Sequence, residues 1–154
     1  MTYVNPNLQE GIDLEAKSAR VYHDVDQSIP DSVNTALSFN SERWDTDDIH
    51  NTVTNNNRLT CNTAGKYLLI GQIVFAINST GNRGIVIRLN GVTILARAKQ
   101  VGVSGVPPAL VVSTIYDLSV GDYVELLGFQ TSGDVLDVSS TGNYSPEFMM
   151  HRIG

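Results

Sequence analysis

The chain has 154 residues, a formal net charge of −6 and only 17% charged residues. That length is close to the roughly 150 residues typical of one domain. A hydrophobic share of 42% excludes a disordered chain, which combines low hydrophobicity with high net charge. Lysine and arginine are not concentrated anywhere, which argues against nucleic-acid binding, because that function needs a cationic surface to displace phosphate counterions.

Residues 1–18 are mixed and polar, and we predict an N-terminal arm there, followed by one domain at residues 19–154. The arm lacks the basic flank and apolar centre of a signal peptide, so none is expected. No run approaches the ~20 apolar residues that cross a bilayer, so no membrane partner is expected either. A single cysteine, Cys61, excludes an internal disulfide.

Apolar runs alternate with clusters of Asn, Ser, Thr and Gly from residue 19 onward. The β-branched and aromatic content of the runs favours strands, and Asn90-Gly91 is a strong hairpin signal. About nine or ten short strands separated by regular turns predict an all-β sandwich, jelly roll or barrel. The predicted strands are residues 19–25, 35–40, 65–77, 84–96 (broken at the hairpin), 109–118, 123–130, 135–139 and 148–153.

Two of these strands, at residues 67–75 and 124–129, are apolar on both faces. In an antiparallel sandwich only one face of each sheet meets the core, so the second face must meet another layer or another subunit. The sequence offers no good amphipathic helix for such a layer, which favours subunit association. The predicted interface residues are Tyr67, Leu69, Ile73, Phe75, Leu127 and Phe129.

Several motifs, in order, resemble those of a complement C1q-like globular head over about residues 19–153. An Ala-Gly-x-Tyr start opens the central strand at Ala64, and a Leu-x-x-Gly-Asp-x-Val segment begins at Leu118. The other matching segments are residues 44–45, 48–50, 59, 88–91 and 145–150.

This resemblance implies a ten-stranded antiparallel jelly roll of the C1q and tumour necrosis factor (TNF) superfamily, assembled as a homotrimer. No Gly-X-Y stalk precedes the head, which makes the chain more similar to bacterial and bacteriophage members. For such a member we expect a structural protein at the virion surface, assembled in the host cytoplasm as a capsid decoration, cement or fibre-knob protein. Residues 1–18 would bind capsid or fibre proteins. The alternative is a trimeric lectin-like module that recognises a cell-surface glycan or protein.

The densest set of candidate metal ligands is Asp45, Asp47, Asp48 and His50. Calcium prefers several oxygen ligands from flexible loops, so a calcium site is one interpretation of this segment. The segment lacks the ligand spacing of an EF-hand, and a solvated acidic loop is the preferred interpretation. No cofactor is otherwise expected.

Trp44, flanked by Arg43 and Asp45, is the candidate ligand contact, because an exposed indole can stack on a sugar; core or rim packing is the alternative. Cys61 carries no protease signature, and neither a P-loop nor a dinucleotide fingerprint occurs. We therefore predict no catalytic residues and no enzymatic activity.

Overall fold

A computed structural model describes residues 16–154. The predicted arm therefore lies outside the described residues except for Ala16, Lys17 and Ser18, and Ser18 already belongs to the first strand. The strands of the described residues are β1 (Ser18–Tyr22), β2 (Gln27–Ile29), β3 (Thr35–Ala36), β4 (Ser41–Asp45), β5 (Leu59–Thr60), β6 (Gly65–Val74), β7 (Asn82–Leu89), β8 (Thr93–Val101), β9 (Ala109–Leu118), β10 (Tyr123–Gln130), β11 (Leu136–Val138) and β12 (Glu147–Arg152).

Two antiparallel sheets of five strands each form the body of the domain. The first has the order β4-β1-β12-β6-β9, and the second has the order β3-β10-β7-β8 with β5 also paired to β10. Strands β2 and β11 form a small separate ribbon. The predicted all-β, ten-stranded jelly roll is thus confirmed, with ten strands in the two main sheets. No helix within residues 16–154 has the length and apolar character needed to span a membrane.

Strand β6 shows how the sequence builds the core. Because side chains alternate along a strand, Tyr67, Leu69 and Ile73 all point towards the second sheet, with 0–1% of each residue exposed. Leu68 and Ile70 point to the opposite side of the sheet and are only half-buried. The core therefore lies between the two sheets.

This alternation corrects the predicted interface. Tyr67, Leu69, Ile73 and Phe75 lie in the core of a single chain, where a second subunit cannot reach them. Leu127 is also buried, with 1% of the residue exposed. Both faces of β6 are apolar in sequence, and the residues predicted on it lie on the face that packs inside the subunit. Phe129, the sixth residue, is half-buried on the second sheet.

The predicted boundaries match β9 and β10 residue for residue, whereas the predicted strand at residues 65–77 ends at Val74. Three strands, β2, β4 and β5, lie outside every predicted range. Strands β2 and β5 have only three and two residues, and residues 41–45 combine polar and charged residues with one tryptophan, so they carry no apolar alternation. Strand β4 lies at the edge of its sheet, where such a composition is tolerated.

A buried arginine organises the loop between β6 and β7. Arg83 is 0% exposed, and its guanidinium donates hydrogen bonds to the carbonyl oxygens of Asn78, Thr80 and Asn82 at 2.9–3.0 Å. Burial lowers the pKa of this group. Gly81 lies in the same loop with φ 72°, a conformation that favours glycine. A Cβ there would lie well inside the van der Waals radius of the backbone of Thr131.

We expect Gly81→Ala to lower the free energy of unfolding by at least about 3 kcal/mol, because a left-handed alanine and a backbone clash combine. Gly133→Ala is the matched control, since Gly133 has φ 90° and nothing lies within 4 Å of its Cβ position. The control should lose only about 1 kcal/mol. Urea unfolding at one protein concentration measures both, and equal losses would show that the close approach at Gly81 does not matter.

Candidate functional site

Asp45 fixes the start of the acidic segment. Its Oδ1 accepts hydrogen bonds from the backbone N–H groups of Asp47 and Ile49, both at 3.0 Å. Its Oδ2 accepts another from the backbone N–H of His50 at 2.8 Å. Both oxygens are therefore engaged by the loop's own backbone, as is typical of aspartate at a turn.

The side chain of His50 is fully buried beside this turn. Its Nε2 lies 3.3 Å from the carbonyl oxygen of Asn56, and since a carbonyl only accepts, Nε2 is the donor. Its Nδ1 lies 2.9 Å from Glu42 Oε1, within hydrogen-bond distance. His50 thus ties the acidic segment to β4 and to the following loop.

These contacts do not bring the candidate metal ligands together. Asp45 and His50 are engaged within the protein, Asp47 pairs with Lys17 at 3.7 Å, and Asp48 is exposed with φ 51°. Within residues 16–154, no three histidine, cysteine or acidic side chains converge in a way that would hold a metal ion. This geometry favours the solvated acidic loop over the calcium interpretation of Asp45, Asp47, Asp48 and His50, because Asp45 and His50 bond within the protein and Asp48 is exposed.

A polar cleft of about 410 Å³ is lined by residues between positions 48 and 62, which include the loop after β4. Asn51, Asn55, Arg58 and Asn62 are among the residues that line it. The guanidinium of Arg58 lies 4.6 Å from the ring centroid of Tyr123, which holds it by a cation–π contact. Amide and guanidinium groups of this kind suit a ligand rich in hydroxyl or carboxylate groups. In the sequence, the three consecutive asparagines at residues 55–57 indicate a turn and carry no signal for a cleft.

Trp44 lies on edge strand β4, with 45% of the residue exposed. Its indole N–H donates to Ser18 Oγ at 3.0 Å, and the Arg20 guanidinium lies 6.0 Å from the ring centroid. The ring is therefore held on β1 but remains accessible. Its role as a ligand contact stays a prediction.

A buried carboxylate joins two arginines beside Trp44. The Glu147 side chain is 1% exposed and accepts hydrogen bonds from Arg20 at 2.5 Å and Arg43 at 2.7 Å. Arg43 also stacks on Tyr22, 4.0 Å from the ring centroid. Because a buried charge without a partner is strongly destabilising, this cluster fixes β4 and β1 to β12. Arg43 and Glu147 are 104 positions apart, so the sequence carried no local signal for the pairing.

The outward side of the first sheet carries a group of apolar side chains with polar ones between them, which we call the outer apolar face. Cross-strand pairing places Ile70 beside Met149 and Leu68 beside Ile115. Ile115 is 57% exposed and Val111 is 60% exposed. Because side chains of this size are usually covered when they cluster, such a surface marks an interaction site. The outer apolar face comprises Leu68, Ile70, Val111, Ile115 and Met149.

Cys61 is a buried thiol rather than an accessible nucleophile. It is 0% exposed, and its Sγ lies 3.2 Å from the carbonyl oxygen of Thr63. The same carbonyl accepts the hydroxyl of Tyr67 at 2.6 Å. Burial raises the pKa of the Cys61 thiol above its ordinary 9.0, and burial likewise raises the pKa of Tyr67. The reactive thiolate is therefore disfavoured.

Known proteins are similar to this chain in structure but not detectably in sequence. No family model matches it, and no curated protein sequence matches it either. Eiger TNF from S. frugiperda superposes with a TM-score of 0.67 at 12% identity, covering 90% of this chain and 93% of that one. Murine APRIL at pH 5.0 gives 0.68 at 15%, covering 90% and 100%. The globular domain of zebrafish complement 1qA gives 0.60 at 16%, covering 90% and 98%.

These similarities define the fold. The chain is a jelly roll of the kind found in TNF and C1q globular domains, as the C1q-like motifs implied. At 12–16% identity the likeness extends to architecture alone, and it carries no ligand or receptor over to this chain.

The buried thiol and phenol make stability sensitive to alkaline pH. Their folded pKa values are raised, so between the unfolded and folded values the native state holds more protons than the unfolded state. Their contribution is thus fully present below the unfolded pKa of Cys61 and is lost as pH rises through and above about 9. We expect the free energy of unfolding to fall from pH 8 to pH 10.5, and to fall less in Cys61→Ala.

Chemical denaturation at a series of pH values measures this dependence. Tyr67→Phe is the second variant, since it removes the other buried proton donor of the pair. An identical alkaline slope in the wild type and both variants would contradict the assignment to these two groups.

Proposed function

We propose that this chain is a non-enzymatic homotrimeric binding module that assembles through the outer apolar face. The observation that carries the proposal is the exposure of Val111 and Ile115 on β9, at one edge of that face. The number three is what the C1q-like resemblance implies.

The position of the face supports association between copies. It covers the adjacent strands β12, β6 and β9, and β6 and β12 are interior strands of the first sheet. Covering half-buried and exposed aliphatic side chains contributes about 25 cal/mol per Å² of apolar surface. Other chemistry fits less well, because Cys61 is buried and the polar groups around His50 hold their own loop together.

The biological setting extends this proposal. We propose a virion surface, with the chain acting as a capsid decoration, cement or fibre-knob protein and residues 1–18 as its anchor. Recognition of a cell-surface glycan or protein by the trimer is the alternative, and the exposed ring of Trp44 is the feature that favours it.

We expect Ile115→Asp to convert the trimer into monomers at micromolar concentration. Assembly would bury the new carboxylate without a partner, which costs several kcal/mol. Asp117 is exposed two positions away on β9 and places a second negative charge nearby. The association constant should fall at least about 100-fold. Light scattering reads the change directly, since the wild type should show three times the 16.7 kDa mass of one chain.

Val53→Asp is the matched control, because Val53 is 85% exposed in a loop away from the first sheet. It introduces the same charge and should leave the trimer intact. A wild-type monomer, or equal behaviour of the two variants, would overturn assembly through this face.

Deletion of residues 1–15 tests the anchor without damaging the fold. The deletion should stop at residue 15, because the carbonyl oxygen of Lys17 accepts a hydrogen bond from Arg152 and Ser18 opens β1. We expect the truncated protein to remain trimeric while its occupancy on particles falls at least about tenfold, equivalent to 1.4 kcal/mol. Unchanged occupancy would refute anchoring by the arm, and the oligomeric state is measured on the same sample.

A further inference from the structure

A groove lies on the outward side of the second sheet, opposite to the core. Gly84 on β7 is paired with Lys99 on β8 and with Phe129 on β10. The three positions form one row across the sheet, and the middle position has no side chain. The result is a notch between a lysine and a phenylalanine, within a groove of about 220 Å³.

The neighbouring row extends this notch. Val86 is paired with Arg97, so a second cationic side chain borders the same groove beside an apolar one. Asn34, which precedes β3, contributes an amide at the end near Phe129. The groove therefore has an apolar floor with two positive charges along one wall.

Neither the backbone conformation nor a close contact requires glycine at position 84, and only the open space of the groove accounts for it. Its backbone is not in the left-handed region that favours glycine. A Cβ there would lie 3.5 Å from Phe129 Cβ and 3.7 Å from the Ala98 carbonyl oxygen, which are ordinary contacts. Glycine inside a strand costs roughly 0.5–1 kcal/mol relative to alanine. The methyl group of an alanine would occupy the groove itself.

The two cations lack partners within the described part of the chain. Arg97 and Lys99 are exposed, and neither side chain makes an ion pair or hydrogen bond with any of residues 16–154. Arg88, on the same side of the same sheet, is by contrast paired with Glu125 at 2.8 Å. In a chain of net charge −6, this wall is a local positive site.

We propose that the groove binds a small organic anion: a carboxylate or phosphate carried on a compact apolar group. The apolar group packs in the notch over Gly84, against Phe129 and Val86. The anionic group lies along the wall formed by Arg97 and Lys99, where a charge-assisted hydrogen bond is available from each. The volume is below the roughly 300 Å³ of pockets for drug-sized ligands, so the ligand is no larger than a single substituted ring.

Titration of the full chain with benzoate, followed by backbone amide NMR shifts, tests the proposal. We expect saturable shifts at Gly84, Lys99 and Phe129, with a dissociation constant on the order of 1 mM for a ligand of this size. Benzamide has the same shape without the charge and should bind at least about tenfold more weakly, equivalent to 1.4 kcal/mol. Equal binding of benzamide would overturn the role of the cations. Equal shifts with inorganic phosphate would overturn the role of the apolar floor.

Variants distinguish benzoate binding in the groove from binding elsewhere on the surface. Gly84→Ala should weaken benzoate binding at least about tenfold, by filling the notch. Lys99→Gln should weaken it about threefold or more and reduce its dependence on salt. Lys66→Gln is the control, since Lys66 is an exposed lysine on the first sheet. Unchanged binding in Gly84→Ala with a native spectrum, or equal loss in Lys66→Gln, would contradict the site.

Discussion

The alternation of side chains along β6 is the constraint on which the rest of the molecule depends. The strand lies between β12 and β9, so its backbone is fully paired and each side chain must face either the core or the outside. The inward residues join the two sheets. The outward residues Leu68 and Ile70 are as apolar as the inward ones, so this part of β6 is apolar on both faces.

Several of the few charged side chains hold neighbouring strands and loops in place. Glu147 is buried with two arginines at the edge of the first sheet, and Arg83 is buried among backbone carbonyls at a loop. Hydrogen bonds to the charged groups make such burial tolerable, although Arg83 Nε has no partner within residues 16–154. Asp45 at the end of β4 likewise holds the backbone of the following loop, so its carboxylate serves to order a turn.

Local pattern was enough to predict the fold class and several strands. Strands β9 and β10 are rich in β-branched and other apolar residues and are bounded by turn residues, and the sequence predicts both to the residue. Which face of β6 meets the core could not be predicted, because Tyr67 and Leu69 alternate with Leu68 and Ile70 of equal hydrophobicity. The groove at Gly84 could not be predicted either, since only the register of three strands brings that glycine beside Lys99 and Phe129.

The position of β12 has a consequence for how the chain becomes folded during synthesis. Residues 147–152 pair with both β1 and β6, so the first sheet has a gap at its centre until they have been made. Until then, β1 and β6 each present an unpaired edge, and such edges invite pairing with other chains. Folding of the domain must therefore await its last strand, and a ribosome that stalls before residue 147 would release an aggregation-prone product.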